Sequence, residues 1–222
     1  MLIKGWMSTD VVVVDEETSV MKASQIMKEH RIRRLPVLRN GKLIGIVSDR
    51  DIKEASPSKA TTLDVHELYY LLSELKIKDI MTPDPITIGP EETVELAAVK
   101  MLEHNVSGLP VLRQDGQLVG ILTMNDVFKV LISITGIYRG GIQFAFALPD
   151  RPGSIGEVAN VIRAHGGSMV SILSSYDSAE EDSRNVFIRI KDMPEDRLKA
   201  LVDELEQNFV LLYTTKDQLK DV

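Results

Sequence analysis

Two stretches of the chain share one pattern of apolar and polar positions. Apolar residues fall at helical spacing at Val20, Ala23 and Met27, and again at Val94, Ala97 and Met101. Thr18/Ser19 and Thr93 stand where such helices need an N-cap. Ahead of each helix is a short β-branched run, Val11–Val14 and Ile86–Ile88, strand-like by residue type. Behind the first helix, Leu35–Leu38 and Leu43–Val47 read as two strands around Asn40-Gly41, a strong hairpin signal. The second stretch turns through Gln114-Asp115-Gly116 instead. A closing helix follows in each, with Asp51 or Asp126 in its first turn, and the later one runs to about Thr135. The order strand, helix, strand, strand, helix is therefore predicted twice.

The repetition extends to residues with no role in the hydrophobic pattern. Met7, Asp10, Glu17, Glu29, His30 and Leu35-Pro36-Val37-Leu38-Arg39 return as Met81, Asp84, Glu91, Glu103, His104 and Leu109-Pro110-Val111-Leu112-Arg113, at a constant offset (81 − 7 = 74 and 104 − 30 = 74). The offset grows by one at the hairpin. Each copy then ends in a hydroxyl residue and an aspartate three positions apart, Ser48 with Asp51 and Thr123 with Asp126.

Between the copies, 56–62 is polar and 64–75 predicts a helix opened by Asp64 with Glu67. Gly136 and Gly140-Gly141 break the chain, and the domain boundary is placed there. Beyond it Ile142, Phe144, Phe146 and Leu148 alternate as a half-buried strand. Asp150-Arg151-Pro152-Gly153 is a turn, and Ser154 with Glu157 is expected to form a capping box. A helix carrying Ile155, Val158, Ala159 and Ile162, strands at Met169–Leu173 and Val186–Ile190, a helix carrying Leu198, Leu201, Val202 and Leu205, and a strand at Phe209–Tyr213 complete a βαββαβ order. The predicted fold class is mixed α+β and α/β: repeats at 1–55 and 77–135, an insertion at 56–76, a linker at 136–141 and a ferredoxin-like domain at 142–222.

Composition narrows the function. The 222 residues carry a net charge of −7 and no long Lys/Arg block, which argues against nucleic acid, whose binding draws on clustered cations. There is no cysteine, hence no disulfide or thiolate metal site. The longest apolar runs fall far below the ~18 residues a bilayer span needs, and the N-terminus lacks the order of a signal peptide. A cytoplasmic protein without membrane or nucleic-acid partners is expected. The four histidines have no metal-ligand spacing and no Ser-His-Asp set assembles. Glu16-Glu17 and Glu91-Glu92 precede helices, where solvation and the dipole explain them. No enzyme, no metal and no required cofactor are expected.

Ser48-Asp49-Arg50-Asp51 taken alone is a helix cap. The same groups suit a ligand, because free N–H groups and a small hydroxyl at a helix start bind phosphate while a carboxylate there accepts ribose hydroxyls. Recurrence of the aspartate after matched Gly45 and Gly120 favours the ligand, since a cap does not need Asp in both copies. His30-Arg31-Ile32-Arg33-Arg34 precedes the first Leu-Pro strand, whereas the second copy reads His104-Asn105-Val106-Ser107-Gly108. Phosphate counter-charge would then come mainly from copy one, unless that run is a solvated loop. His30 and His104 read as helix-end residues favoured by the dipole.

At these residues the chain resembles a tandem pair of cystathionine-β-synthase (CBS) domains, a Bateman module. The family's Gly-x-x-Ser/Thr-x-x-Asp motif is complete at Gly45–Asp51 and Gly120–Asp126. The resemblance implies adenine nucleotide binding (AMP, ADP or ATP, with S-adenosylmethionine a further candidate) as a regulatory function. Asp51 and Asp126 would hold ribose, with Ser48 and Thr123 beside ribose or phosphate. Arg33 and Arg34 would meet phosphate, and the backbone near Val11, Pro36, Ile86 and Pro110 would pack the adenine. Asp150-Arg151-Pro152-Gly153-Ser154-Ile155 resembles the start of an ACT domain. It implies dimerisation and an amino acid effector near Asp150, Gly153 and Ser154, with the glycine admitting the ligand and Asp150 meeting an ammonium. The whole arrangement is similar to the acetoin-utilisation protein B group. The implied protein is a homodimeric sensor whose regulated partner is another protein; the rival reading is an adaptor that docks on a metabolic enzyme without binding a nucleotide.

Overall fold

In the first repeat the apolar stripe of α1 (Val20–His30) buries Val20, Ala23 and Met27 against a small sheet. Ser19 caps this helix by accepting from the Lys22 N–H at 3.2 Å, and Arg31 closes it in the left-handed region. Strands β2 (Arg34–Arg39) and β3 (Lys42–Ser48) pair antiparallel around Asn40-Gly41, both at positive φ as a tight hairpin turn requires. Helix α2 (Asp49–Ala55) follows directly. The structure is a computed structural model that describes residues 1–55, 74–177 and 179–217. The polar stretch at 56–62 and all but the end of the helix expected at 64–75, its Asp64–Glu67 opening included, lie outside the described residues.

The second repeat copies this plan with α3 (Val94–Glu103), β5 (Gly108–Leu112), β6 (Leu118–Thr123) and α4 (Met124–Thr135). Thr93 caps α3 as Ser19 caps α1, accepting from the Leu96 N–H at 3.2 Å. The leading strands are shorter than residue type predicts. β1 is only Val14–Asp15, parallel to β2, and of the 86–88 run only Ile88 pairs, in a bridge to Val111. β-branched residues favour an extended, half-buried chain, but a ladder also needs a neighbouring strand in register.

The short segments that open the two repeats are exchanged. Ile3–Gly5 forms a 3₁₀ turn bound to the second repeat, where the Ile3 N–H donates to the Glu92 carbonyl and the Val94 N–H to the Met1 carbonyl. Its equivalent, Ile77–Asp79, is bound to the first, with Ile77 donating to Thr18 and Val20 donating to Leu75. Ile77 is fully buried in the first repeat's core beside Val14, Val20 and Leu35. β4 (Thr82–Pro83) then pairs with β3 through Gly45 and Ile46, as Ser8 bridges Ile121 of β6.

Met1–Val127 and Phe128–Val222 form two compact units, the division falling inside α4. In the second unit β7 (Ile142–Pro149), α5 (Ser154–Ala164), β8 (Met169–Ser175), β9 (Ser183–Ile190), α6 (Glu195–Asn208) and β10 (Val210–Lys216) follow the predicted βαββαβ order. The sheet runs β10-β7-β9-β8, antiparallel throughout. Phe144, Phe146, Ile188, Leu201 and Leu205 lie in its core, fully buried. The expected Ser154–Glu157 box does not form. Gly153, at φ +91°, is the N-cap, Ser154 is already the first helical residue, and the Glu157 carboxylate turns to Arg151 at 2.8 Å. The guanidinium is the stronger partner for a carboxylate than the N-cap amide. On the other face of this sheet Arg189, 5% exposed, donates to the Thr135 carbonyl at 2.9 Å and to Gln143 at 2.8 Å and pairs with Asp217.

Candidate functional site

Each Gly-x-x-Ser/Thr-x-x-Asp motif spans the end of a strand and the first turn of a helix. In the first, the Ser48 N–H and hydroxyl both donate to Asp51 Oδ2, at 2.7 and 2.8 Å, and the Asp51 N–H returns to Ser48 Oγ at 3.3 Å. In the second, the Thr123 N–H and hydroxyl donate to Asp126 Oδ2 at 3.0 and 2.7 Å. Both are closed helix-start clasps. Asp126 is buried, at 5% exposure, and Asp51 half-buried. Asp51 Oδ1 has no hydrogen-bond partner among the described residues, leaving one carboxylate oxygen for an external hydroxyl.

The motif glycines act in packing. A Cβ on Gly45 would stand 2.5 Å from Met81 Sδ and 3.1 Å from the Thr82 carbonyl. One on Gly120 would meet Met7 Sδ and the Ser8 carbonyl in the same way. The exchanged segments cross β3 and β6 at these points, so each glycine admits the other repeat's methionine.

Arg33 and Arg34, adjacent in sequence, go separate ways. Arg33 is exposed. It lines a surface cavity of about 380 Å³ between α1 and α2 together with Lys28, Arg31, Asp49 and Lys53. The Asp49 carboxyl is held below its usual range, first by its hydrogen bond from Lys53 and also by the fields of Arg33 and Arg34. Arg34 opens β2 opposite Ser48 and extends its guanidinium to the second repeat. There Nη1 donates to the Ser107 carbonyl at 2.5 Å, and Nη2 donates to the Ser107 hydroxyl. Burial lowers its pKa, partly offset by the field of Asp49. Pro36 and Pro110 are buried in β2 and β5, and Val11 and Ile86 are half-buried in the unpaired stretches ahead of Val14 and Ile88. Sequence reasoning missed Ser107, whose position holds Arg33 in the other copy; the break in the repeat there was its only signal.

A CBS-domain family model matches residues 3–58 and 77–133. The chain belongs to the CBS-domain family. Its CBS pair is 40% identical over 119 residues to inosine-5′-monophosphate dehydrogenase of Korarchaeum cryptofilum, a match covering 54% of this chain and 22% of that enzyme. Among solved structures it resembles a CBS domain pair in complex with 5′-methylthioadenosine and S-adenosyl-L-methionine (30% identity, TM-score 0.50, 59% of this chain and 95% of that one). A protein assigned to acetoin utilization in Vibrio cholerae is also similar (25% identity, TM-score 0.51, 62% and 95%). CBS pairs are regulatory ligand sensors, and the mixed α/β fold of the pair is the fold described above. No helix among the described residues is long and apolar enough to cross a membrane.

Outside the CBS pair, two of the expected effector residues of the second unit, Asp150 and Ser154, are both engaged by Arg184. Arg184 Nε lies 3.6 Å from Asp150 Oδ1, Arg184 Nη2 donates to the buried Ser154 hydroxyl at 3.2 Å, and the Tyr176 hydroxyl donates to Asp150 at 3.4 Å. Asp150 therefore already faces a cation, and Arg184, which the sequence did not single out, is the centre of the group.

Proposed function

We propose that the chain is a non-catalytic regulatory sensor that binds an adenine nucleoside or nucleotide at its CBS pair. The observation that carries this is the symmetry of the clasps. Two helix starts at equivalent positions each present a hydroxyl and an aspartate, and on Asp51 one oxygen is left for a ribose hydroxyl. The similar CBS pair with bound methylthioadenosine and S-adenosylmethionine supports the adenosine part. Ser48 and Asp51 serve one ribose and Thr123 and Asp126 the other, with Arg33 and Arg34 near phosphate. The hydrophobic neighbourhoods of Val11, Pro36, Ile86 and Pro110 pack the base. The second unit is read as an ACT-like domain. Its Asp150, Gly153 and Ser154 would take an amino acid with Arg184 meeting the carboxylate, a role the sequence reading did not foresee. Homodimerisation is supported by the exposed row Leu96, Val99 and Leu102 on α3, the last 77% exposed. A cytoplasmic place and a role in acetoin metabolism belong to the same reading.

Calorimetry and thermal shift with AMP, ADP, ATP, adenosine and S-adenosylmethionine, on wild type, Asp51→Ala and Asp126→Ala, test it. Saturation at 100 times the dissociation constant should add about 2.7 kcal/mol. Loss of that shift in one variant locates the occupied half. No response to any of them in the wild type would sink the reading. A second reading has one observation in its favour: both aspartates are already bonded as helix caps. An adaptor docking on a metabolic enzyme through its apolar faces would bind that enzyme equally well after either substitution.

A further inference from the structure

The two repeats differ most where they touch. At an offset of 74, Arg34 corresponds to Gly108 and Arg33 to Ser107. Gly108 pairs with Thr123 in β5–β6 as Arg34 pairs with Ser48 in β2–β3. The missing side chain of repeat two is replaced in space by the guanidinium of repeat one. A Cβ on Gly108 would stand 2.5 Å from Arg34 Nη1 and 3.0 Å from its Cδ. The Ser107 carbonyl that receives Nη1 also accepts the Met124 N–H at 3.1 Å, at the start of the helix that carries Asp126. One cation of the first repeat is thus fastened to the residue that holds the start of the second repeat's closing helix.

We propose that Arg34 is a latch between the repeats that phosphate-bearing ligands open and phosphate-free ones leave shut. This rests on the nucleotide reading and adds its selectivity. Both acceptors on Ser107 are neutral, and burial lowers the arginine's pKa by more than the field of Asp49 restores, so the guanidinium has given up water without a hydrogen-bonded anion in exchange. A phosphate offers charged oxygens in the fork geometry that guanidinium matches, the stronger of the two partnerships. Arg34 holds Ser107 through its Nη1–Nη2 edge, and a phosphate that takes this same edge in bidentate fashion displaces Ser107 from it. Binding AMP therefore releases Ser107, whereas adenosine or S-adenosylmethionine does not.

The experiment is calorimetry with AMP and adenosine on the full chain, wild type beside Arg34→Gln, Ser107→Ala and Gly108→Ala, with circular dichroism melts confirming that each variant folds. Gly108 is not at positive φ, so alanine there displaces the guanidinium without removing its charge. Arg34→Gln should weaken AMP by about tenfold or more and leave adenosine unchanged. Ser107→Ala and Gly108→Ala should tighten AMP several-fold, again with adenosine unchanged. If the wild type binds both ligands and Arg34→Gln shifts them equally, or Gly108→Ala weakens AMP as Arg34→Gln does, the latch is wrong and the nucleotide site stands. If the wild type binds neither, the nucleotide reading fails and the latch with it.

Discussion

The two repeats keep the same cores and caps and diverge in their charges. Val20, Ala23 and Met27 match Val94, Ala97 and Met101, all buried, and Ser19 matches Thr93 as N-cap. Yet the first repeat carries Lys28, Arg33, Arg34 and a Glu16–Arg39 ion pair, where the second has Leu102, Ser107, Gly108 and Pro90. In the second repeat Arg113 donates to Gln117 at 3.2 Å instead. Core positions in a repeat are constrained by volume and burial, so they stay alike. Surface charges are not, and here their divergence lets one arginine of the first repeat reach across to bond Ser107 of the second.

The largest effect should come from the exchanged segments. Ile3→Ala and Ile77→Ala each remove a fully buried side chain and should cost about 2–5 kcal/mol. Hydrogen exchange should show Ile77→Ala loosening α1 and Ile3→Ala loosening α3; the opposite pattern would end the exchange model. Gly45→Ala and Gly120→Ala should follow, at about 1–3 kcal/mol each from overpacking against methionine and a carbonyl, read from urea midpoints. Next come the clasps. Asp51→Ala and Asp126→Ala should lose about 0.5–2 kcal/mol as caps, with Asp126 the costlier because it is more deeply buried; equal losses would remove that distinction between the halves.

The smallest difference concerns pH. Hydrogen bonding from Arg39 holds the Glu16 carboxyl below its ordinary value of 4.5. A depressed carboxyl pKa favours the folded state above the unfolded value, and that contribution fades as pH falls through the lowered one. Arg39 is exposed and Glu16 only half-buried, so solvent screening keeps the effect small. Glu16→Gln should flatten only the acid limb below about pH 4.5 in a melting-temperature series, while Gln117→Ala in the second repeat should leave that limb unchanged.

Much of this was legible in the sequence because it is local. Helix faces, the Asn40-Gly41 hairpin, the caps at Ser19 and Thr93 and the βαββαβ order of the second unit depend on residues within a few positions of each other. The same locality misled at Val11–Val14, where strand propensity overran the paired residues, and at Ser154–Glu157, where Arg151 drew the carboxylate away. In the candidate site, Ser48, Asp51, Thr123 and Asp126 could be named because a motif repeats. Arg34 could be named too, but its address could not.

The sequence by itself determined that two equivalent α/β repeats exist, which faces of their helices are buried, and that each ends in a hydroxyl–aspartate clasp. Only the tertiary structure decided that Ile3 belongs with the second repeat and Ile77 with the first, that Gly45 and Gly120 make room for Met81 and Met7, and that Arg34 bonds Ser107. Periodicity reports which face of an element meets apolar surroundings but not whose they are. Two repeats so alike in pattern offer each opening segment two nearly equivalent docking places, and contacts between residues far apart in the chain, such as Ile3 with Glu92 and Ile77 with Thr18, choose between them.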